Sequence, residues 1–158
     1  MEVSIKTILE NQFLLDEFAR LDIFVRVMVV EDLIGNGDGS GGFIYQQMYK
    51  GLFPRRKYRD INKRLLSFID LVKNKEEFDL DSNPIHLTKA GKIWDGSHRL
   101  SIAIANKNET INAVEVRKNF RKQMDFTERT FKHLFDESDY EWLLSVKDYY
   151  FKYYEVKK

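Results

Sequence analysis

Residues 92–101 read Lys92-Ile93-Trp94-Asp95-Gly96-Ser97-His98-Arg99-Leu100-Ser101, and the fold turns on how this stretch is parsed. Ile93 and Trp94 end a short extended run, Asp95-Gly96 makes a tight turn, and Ser97 opens a helix continuing through Leu100, Ile102, Ala103, Ile104 and Ala105. Glycine at such a turn lets the backbone approach a ligand where a Cβ would block it. A helix start carries unpaired N–H groups and partial positive charge, which together favour an anion. Arg99 adds a fork suited to phosphate oxygens, His98 a second donor, and Ser97 a hydroxyl that donates or caps. The helix is apolar around most of its circumference, so it is expected to be buried and rigid. Polar groups at the buried end of a core helix need partners. A bound anion supplies them; so does a simpler arrangement in which Asp95 caps the helix and Arg99 pairs with a neighbouring carboxylate.

On the N-terminal side, Ile85-His86-Leu87-Thr88, Lys89-Ala90-Gly91 and Lys92-Ile93-Trp94 read as a hairpin, entered through the turn residues Asp81-Ser82-Asn83-Pro84. Before it, Ile61, Leu65, Phe68, Ile69 and Val72 give a helical stripe over 58–75. Residues 43–50 predict a short helix closed by Gly51, with Pro54 enforcing the break, and the glycine-rich 35–42 a loop. Residues 23–30, Ile-Phe-Val-Arg-Val-Met-Val-Val, are β-branched on one alternation and predict a strand burying Ile23, Val25, Val27 and Val29. Ile5, Ile8, Leu9, Gln12, Leu15 and Phe18 recur at helical spacing and predict an N-terminal helix over 3–20. After the turn helix, 112–117 gives a further strand and 127–154 is helical and aromatic. The expected fold is therefore α/β (α+β), one domain over 1–158. It comprises a mixed-sheet core over 22–118, an N-terminal helix in 1–21 and an aromatic helical extension over 119–158.

With 26 basic residues against 25 acidic, the net charge of +1 argues against a chain whose main task is coating nucleic acid or an anionic membrane. The absence of cysteine excludes disulfides, cysteine zinc sites and thiol catalysis. No apolar run reaches the roughly 20 residues a membrane span needs, and the charged start Met1-Glu2-Val3-Ser4-Ile5-Lys6 is no signal peptide, so a cytoplasmic protein is expected.

The run from Pro84-Ile85 through Gly91 to Ala103, followed by Val114-Glu115-Val116, resembles the core of the ParB/sulfiredoxin-like superfamily, and the resemblance extends over 22–73. In that group a strand, a Gly-x-His-Arg type turn and a helix start hold nucleotide phosphates. Sulfiredoxins need a cysteine in this turn, and the chain has none. ParB partition proteins bind CTP and carry a DNA-reading helix-turn-helix, which the tail here does not resemble. The free-serine kinases, with an Asp-Gly-His-His-Arg turn, are nearest; Asp95-Gly96-Ser97-His98-Arg99 departs from that pattern only at Ser97.

The resemblance implies an ATP- or ADP-dependent phosphotransferase using Mg²⁺ and acting on a hydroxyl of an amino acid or sugar. Gly96, Ser97, His98 and Arg99 would hold phosphates, and Asp95 would position Mg²⁺ or the acceptor. Glu31, following the first core strand, would be the catalytic base, with Asp32 its rival. Phosphoryl transfer suits such a set because it needs positioning and charge neutralisation more than covalent chemistry. The alternative within the superfamily is a non-catalytic nucleotide- or DNA-binding module.

Other signals are less specific. Gly37-Asp38-Gly39-Ser40-Gly41-Gly42 satisfies G-x-G-x-x-G, but it is separated from the preceding strand and no acid-terminated strand follows. The same stretch imitates a calcium loop with too few carboxylates. It reads as a surface loop or as a lid over the site. Arg55, Arg56, Lys57, Arg59, Lys63 and Arg64 form a basic cluster that is either a solvated face or a contact for an anionic substrate or nucleic acid. Arg26, among apolar neighbours, is either paired with a carboxylate or facing the site. The aromatic stripe Phe131, Phe135, Trp142, Val146, Tyr149 and Tyr153 is expected to pack on the domain or to form a homodimer interface. His86 and His133 read as structural.

Overall fold

The computed structural model describes residues 1–14, 19–74, 80, 82–118 and 124–157. The elements run β1 (Glu2–Ser4), α1 (Ile5–Phe13), α2 (Asp22–Leu33), α3 (Gly41–Leu52), α4 (Tyr58–Lys73), β2 (Ile85–Thr88), β3 (Ile93–Asp95), α5 (Ser97–Ala105), β4 (Thr110–Val116), α6 (Glu128–Phe131) and α7 (Glu137–Tyr153). The result is a mixed α/β domain, as expected. Its sheet has the order β1-β4-β2-β3. The β2–β3 hairpin is antiparallel, β2 and β4 are parallel in the register Ile85 to Ala113, and β1 closes the far edge antiparallel to β4. The parallel pair is joined through β3 and α5, so the turn at Asp95-Gly96 lies between the hairpin and its crossover helix.

The expected strand over 23–30 is wrong: these residues form most of α2. Asp22 to Val30 are all buried, so α2 is a central helix packed on every side, most extensively by α3 and α5. A helix buried all round has no apolar–polar period, and β-branched content then imitates a strand. Tertiary packing overrides the weak strand preference of valine and isoleucine. One local clue was present: Asp22 and Arg26 are spaced i,i+4 and pair across one helical turn.

The N-terminus is also corrected. Residues 2–4 are a sheet strand, and the helix begins at Ile5, where the Ser4 hydroxyl accepts from the Thr7 N–H at 3.0 Å. The N-terminal segment thus contributes to the sheet. Leu15, Phe18, Lys75 and Asp81, which the sequence reading included in two helices and a turn, lie outside the described residues, as do 119–123 of the C-terminal extension. Gly51 does not close α3; it lies inside a helix running from Gly41 to Leu52. The hairpin, α4, α5 and β4 form where the periodicity and turn chemistry predict.

The apolar side chains form one continuous core. α5 contributes Leu100, Ile102, Ala103, Ile104 and Ala105 to it, which explains its apolar circumference. From α7, Leu143, Val146, Tyr150 and Phe151 pack inward, with the Phe151 ring edge-on to Phe13 at 4.9 Å, while Trp142, Tyr149 and Tyr153 remain exposed. The aromatic extension is therefore half core and half surface.

Gly96 turns β3 into α5 with φ +111°, a left-handed conformation that disfavours any side chain. A Cβ there would lie 2.7 Å from Ile85 Cγ2 and 3.1 Å from the Ile85 Cα. Gly96→Ala is expected to cost on the order of 2 kcal/mol, combining backbone strain with displacement of β2. Chemical denaturation measures it, and an unchanged midpoint would contradict the packing described.

Candidate functional site at the start of α5

A buried carboxylate organises this region. Asp22, fully inaccessible at the first turn of α2, accepts from Arg20 Nε at 2.7 Å and from Arg20 Nη2 at 2.8 Å. Its Oδ2 also accepts from Arg26 Nη1 at 2.6 Å. Arg20 reaches on to α5, donating to the Ser97 hydroxyl at 3.0 Å, and Arg26 Nη2 donates to the Tyr49 hydroxyl on α3 at 2.8 Å. The Ser101 hydroxyl, near the carbonyls of Ile23 and Ser97, ties the two helix starts together at 3.1 and 2.8 Å. Arg26 is thus carboxylate-paired, the first of the two options its sequence position left open. Its Nε is buried without a hydrogen-bond partner among the described residues.

Burial by itself would raise the Asp22 carboxyl, but Arg20 and Arg26 hold it at about 2. Next to this group, Tyr49 carries the ring faces approached by Arg26, Arg56 and Arg64, at 5.9, 5.9 and 5.2 Å. Burial pushes the Tyr49 hydroxyl up, while Arg26 and Arg64 bring it below its usual value. Among the described residues no ion pair joins Arg55, Arg56 or Arg64 to a carboxylate. Arg55 is exposed, whereas Arg56 stacks on Phe53 at 4.4 Å.

A cavity of about 280 Å³ opens over the start of α5, lined by Asp95, Gly96, Ser97, His98 and Arg99 with Asn83 and Leu71. No side chain caps the helix here. Arg99 Nη1 donates to the Pro84 carbonyl at 2.7 Å, and Nη2 donates to Asp95 Oδ2 at 3.0 Å. The guanidinium therefore braces the loop before β2 against the turn. Asp95 remains largely exposed on the cavity rim, with His86 Nδ1 3.9 Å from its Oδ2. Asp95 is not a cap, so only part of the simpler arrangement is realised: Arg99 does pair with a carboxylate.

The His98 side chain turns inward, edge-on to Phe68 at 4.4 Å between ring centroids. Its Nε2 lies 3.1 Å from the Tyr45 hydroxyl. Burial drives the imidazole down to about 3, reinforced by Arg26, Arg64 and Arg99 and opposed by Asp22. At neutral pH the ring is uncharged, and Tyr45, kept protonated by burial, is the natural donor to it. His98 thus supplies no cation to the cavity at neutral pH.

Glu31 is not brought to this cavity. It lies nine residues after Asp22 on the same helix, roughly 13 Å along the axis at 1.5 Å per residue. Its Oε1 accepts from the Tyr150 hydroxyl at 2.6 Å, and it lines a different cavity with Lys107 and Trp142. Asp32 is also accounted for: its carboxylate accepts from Gly39 N at 3.0 Å and from Gly41 N at 2.6 Å, folding the glycine-rich loop around itself. The N–H groups that make 35–42 look like a phosphate loop are spent in part on the chain's own carboxylate. The network of Asp22, Arg20, Tyr45 and Tyr49 was missed in the sequence, because a strand assignment separates Asp22 from Arg26.

Among the described residues no three His, Asp or Glu side chains gather into a metal site, and no helix is long and apolar enough to cross a membrane. No protein-family model, curated protein or solved structure matches the chain.

Two pH effects follow. Asp22 is lowered from 3.8 to about 2, so the unfolded chain takes its proton first, and this stability is full above about pH 4 and lost toward pH 2. His98 is lowered from 6.5 to about 3, so the unfolded chain binds a proton that the folded one refuses between these values. Stability is expected to fall as pH drops from about 6.5 to 3, and His98→Asn should flatten that slope in denaturation midpoints. Asp22→Asn is expected to cost about 3–5 kcal/mol at pH 7, since it strands Arg26 in the core.

Proposed function

We propose that the cavity at the start of α5 binds ATP or ADP through its phosphates, and that the protein transfers a phosphoryl group to a hydroxyl of a small acceptor, an amino acid or a sugar. One observation carries the reading. The start of α5 opens on the cavity without a side-chain cap, and the Arg99 guanidinium lines the same space. A helix start carries partial positive charge that favours phosphate oxygens, and Arg99, paired with Asp95 at 3.0 Å, adds a fork beside it. The resemblance of Asp95-Gly96-Ser97-His98-Arg99 to the nucleotide turn of the ParB/sulfiredoxin-like group agrees with this.

Among the described residues Asp95 is the one carboxylate lining the cavity, and it is largely solvent-exposed. It fits a Mg²⁺ ion held jointly with phosphate oxygens, since magnesium needs few protein ligands. The ion would neutralise phosphate charge. In the transfer, the bond from the terminal phosphorus to its bridging oxygen breaks as one to the acceptor oxygen forms, and this reading assigns the hydroxyl proton to Asp95.

A second reading, a nucleotide- or DNA-binding module without catalysis, is favoured by the position of Glu31 in another cavity and by Arg56 and Arg64, which make no ion pair among the described residues. Calorimetry with Mg-ATP and Mg-ADP, and phosphorus NMR with a panel of hydroxyl compounds, separate the two. The wild type is expected to bind nucleotide and to produce a phosphomonoester signal, and Arg99→Ala to weaken binding at least about tenfold, or 1.4 kcal/mol. Nucleotide affinity without a phosphomonoester selects the module. No affinity for either nucleotide overturns the phosphotransferase, and no retention on DNA at low salt in addition overturns the module.

A further inference from the structure

The geometry points to a second ligand site, at the opposite end of the α2–α5 pair, that takes a neutral polyhydroxylated ring such as a monosaccharide. The cavity there measures about 500 Å³, well within the roughly 300–1,000 Å³ typical of small-molecule pockets. Three aromatic side chains of α7 line it: Trp142, 40% exposed, Tyr149, 50% exposed, and the buried Tyr150. Glu31 from the end of α2, Asn36 from the following loop, Lys107 just after α5 and Ser145 of α7 complete the polar part.

These groups come from four separate chain segments and share no residue with the cavity at the α5 start. Glu31 is held in place by the Tyr150 hydroxyl at 2.6 Å, which uses one carboxylate oxygen and leaves further acceptor capacity. Burial raises its carboxyl above the usual value, so it is a group partly withdrawn from water and not a solvated surface acid. Lys107, with φ at 58°, carries its ammonium over the rings of Tyr149 and Tyr153, 5.2 Å from each. No ion pair joins Glu31 to Lys107 among the described residues.

That charge pattern selects the ligand. A ligand of single sign meets one like charge in the cavity, whichever sign it carries. Hydroxyl groups both donate and accept, so one ring can donate to Glu31, accept from Lys107 and do either with Asn36. The C–H face of a sugar ring has outward hydrogens of slight positive charge, which suit the electron-rich face of an exposed indole or phenol. Two exposed aromatics beside a separated acid and base therefore fit a sugar ring better than a planar ion. The inference does not depend on nucleotide binding at the other cavity.

Trp94 and Trp142 are the only tryptophans, so Trp94→Phe makes Trp142 the sole indole reporter. Fluorescence and saturation-transfer NMR are to be recorded with glucose, galactose, mannose and N-acetylglucosamine, up to about 50 mM because weak binding is expected. At least one sugar should give a saturable change in the Trp94→Phe protein and saturation transfer in the wild type. Asn36→Ala and Trp142→Ala, both at exposed positions, should each weaken that sugar at least tenfold, with far-UV circular dichroism and thermal midpoints confirming that they fold. No saturable signal with any sugar overturns the inference. So does undiminished binding in both variants, or binding of glycine and lysine zwitterions in preference to every sugar.

Discussion

The buried Asp22 carboxylate is the interaction on which the rest of the structure depends. It sits at the first turn of a helix sealed from water, and a lone carboxylate there would be too costly to keep ionised. Arg20 and Arg26 make it tenable, and each then reaches a different neighbour, Ser97 at the start of α5 and Tyr49 in α3. One charge thereby sets the approach of three helices. Because each partner is itself hydrogen-bonded, the network specifies a geometry and not merely an attraction. Stability gained from such a group is conditional, since removing one member leaves the others charged in a dry interior.

This constraint also sets two cavities apart. With the first turns of α2 and α5 held together, the His98 ring is buried against Tyr45 and Phe68, and the turn at Asp95-Gly96 lines the cavity over the start of α5. The far end of α2 is carried away from this region, and Glu31 meets α7 there through Tyr150. Two cavities of different chemistry result, one small and lined by the Asp95–Arg99 pair, the other aromatic with separated charges. The glycine-rich loop belongs to neither as an anion cradle, because Asp32 already occupies two of its N–H groups.

The hairpin, its turn and the following helix and strand were legible in the sequence because their signals are local. Pro84, Gly91 and Gly96 punctuate short runs whose alternation or helical spacing is intact, and the left-handed φ of Gly96 is what a strand-to-helix turn of this kind demands. The same held for α4, whose stripe from Ile61 to Val72 has one wet face. The segment 23–30 failed for the opposite reason: nothing in it faces water, so no period survives to distinguish helix from strand. That single misreading displaced the candidate base, because Glu31 was expected beside the turn on the strength of a strand that does not exist.

By itself the sequence determined the mixed α/β character, the strand–turn–helix at 93–105, and the exclusion of thiol chemistry, since composition, glycine placement and apolar period are properties of short segments. Which polar residues meet was decided only by the tertiary structure. Asp22 and Ser97 are far apart in the chain yet both contact Arg20, and Glu31 and Tyr150 are farther apart still. Such pairings depend on how buried helices cross, and a helix buried on all sides records in its sequence that it is inside, but not what it faces.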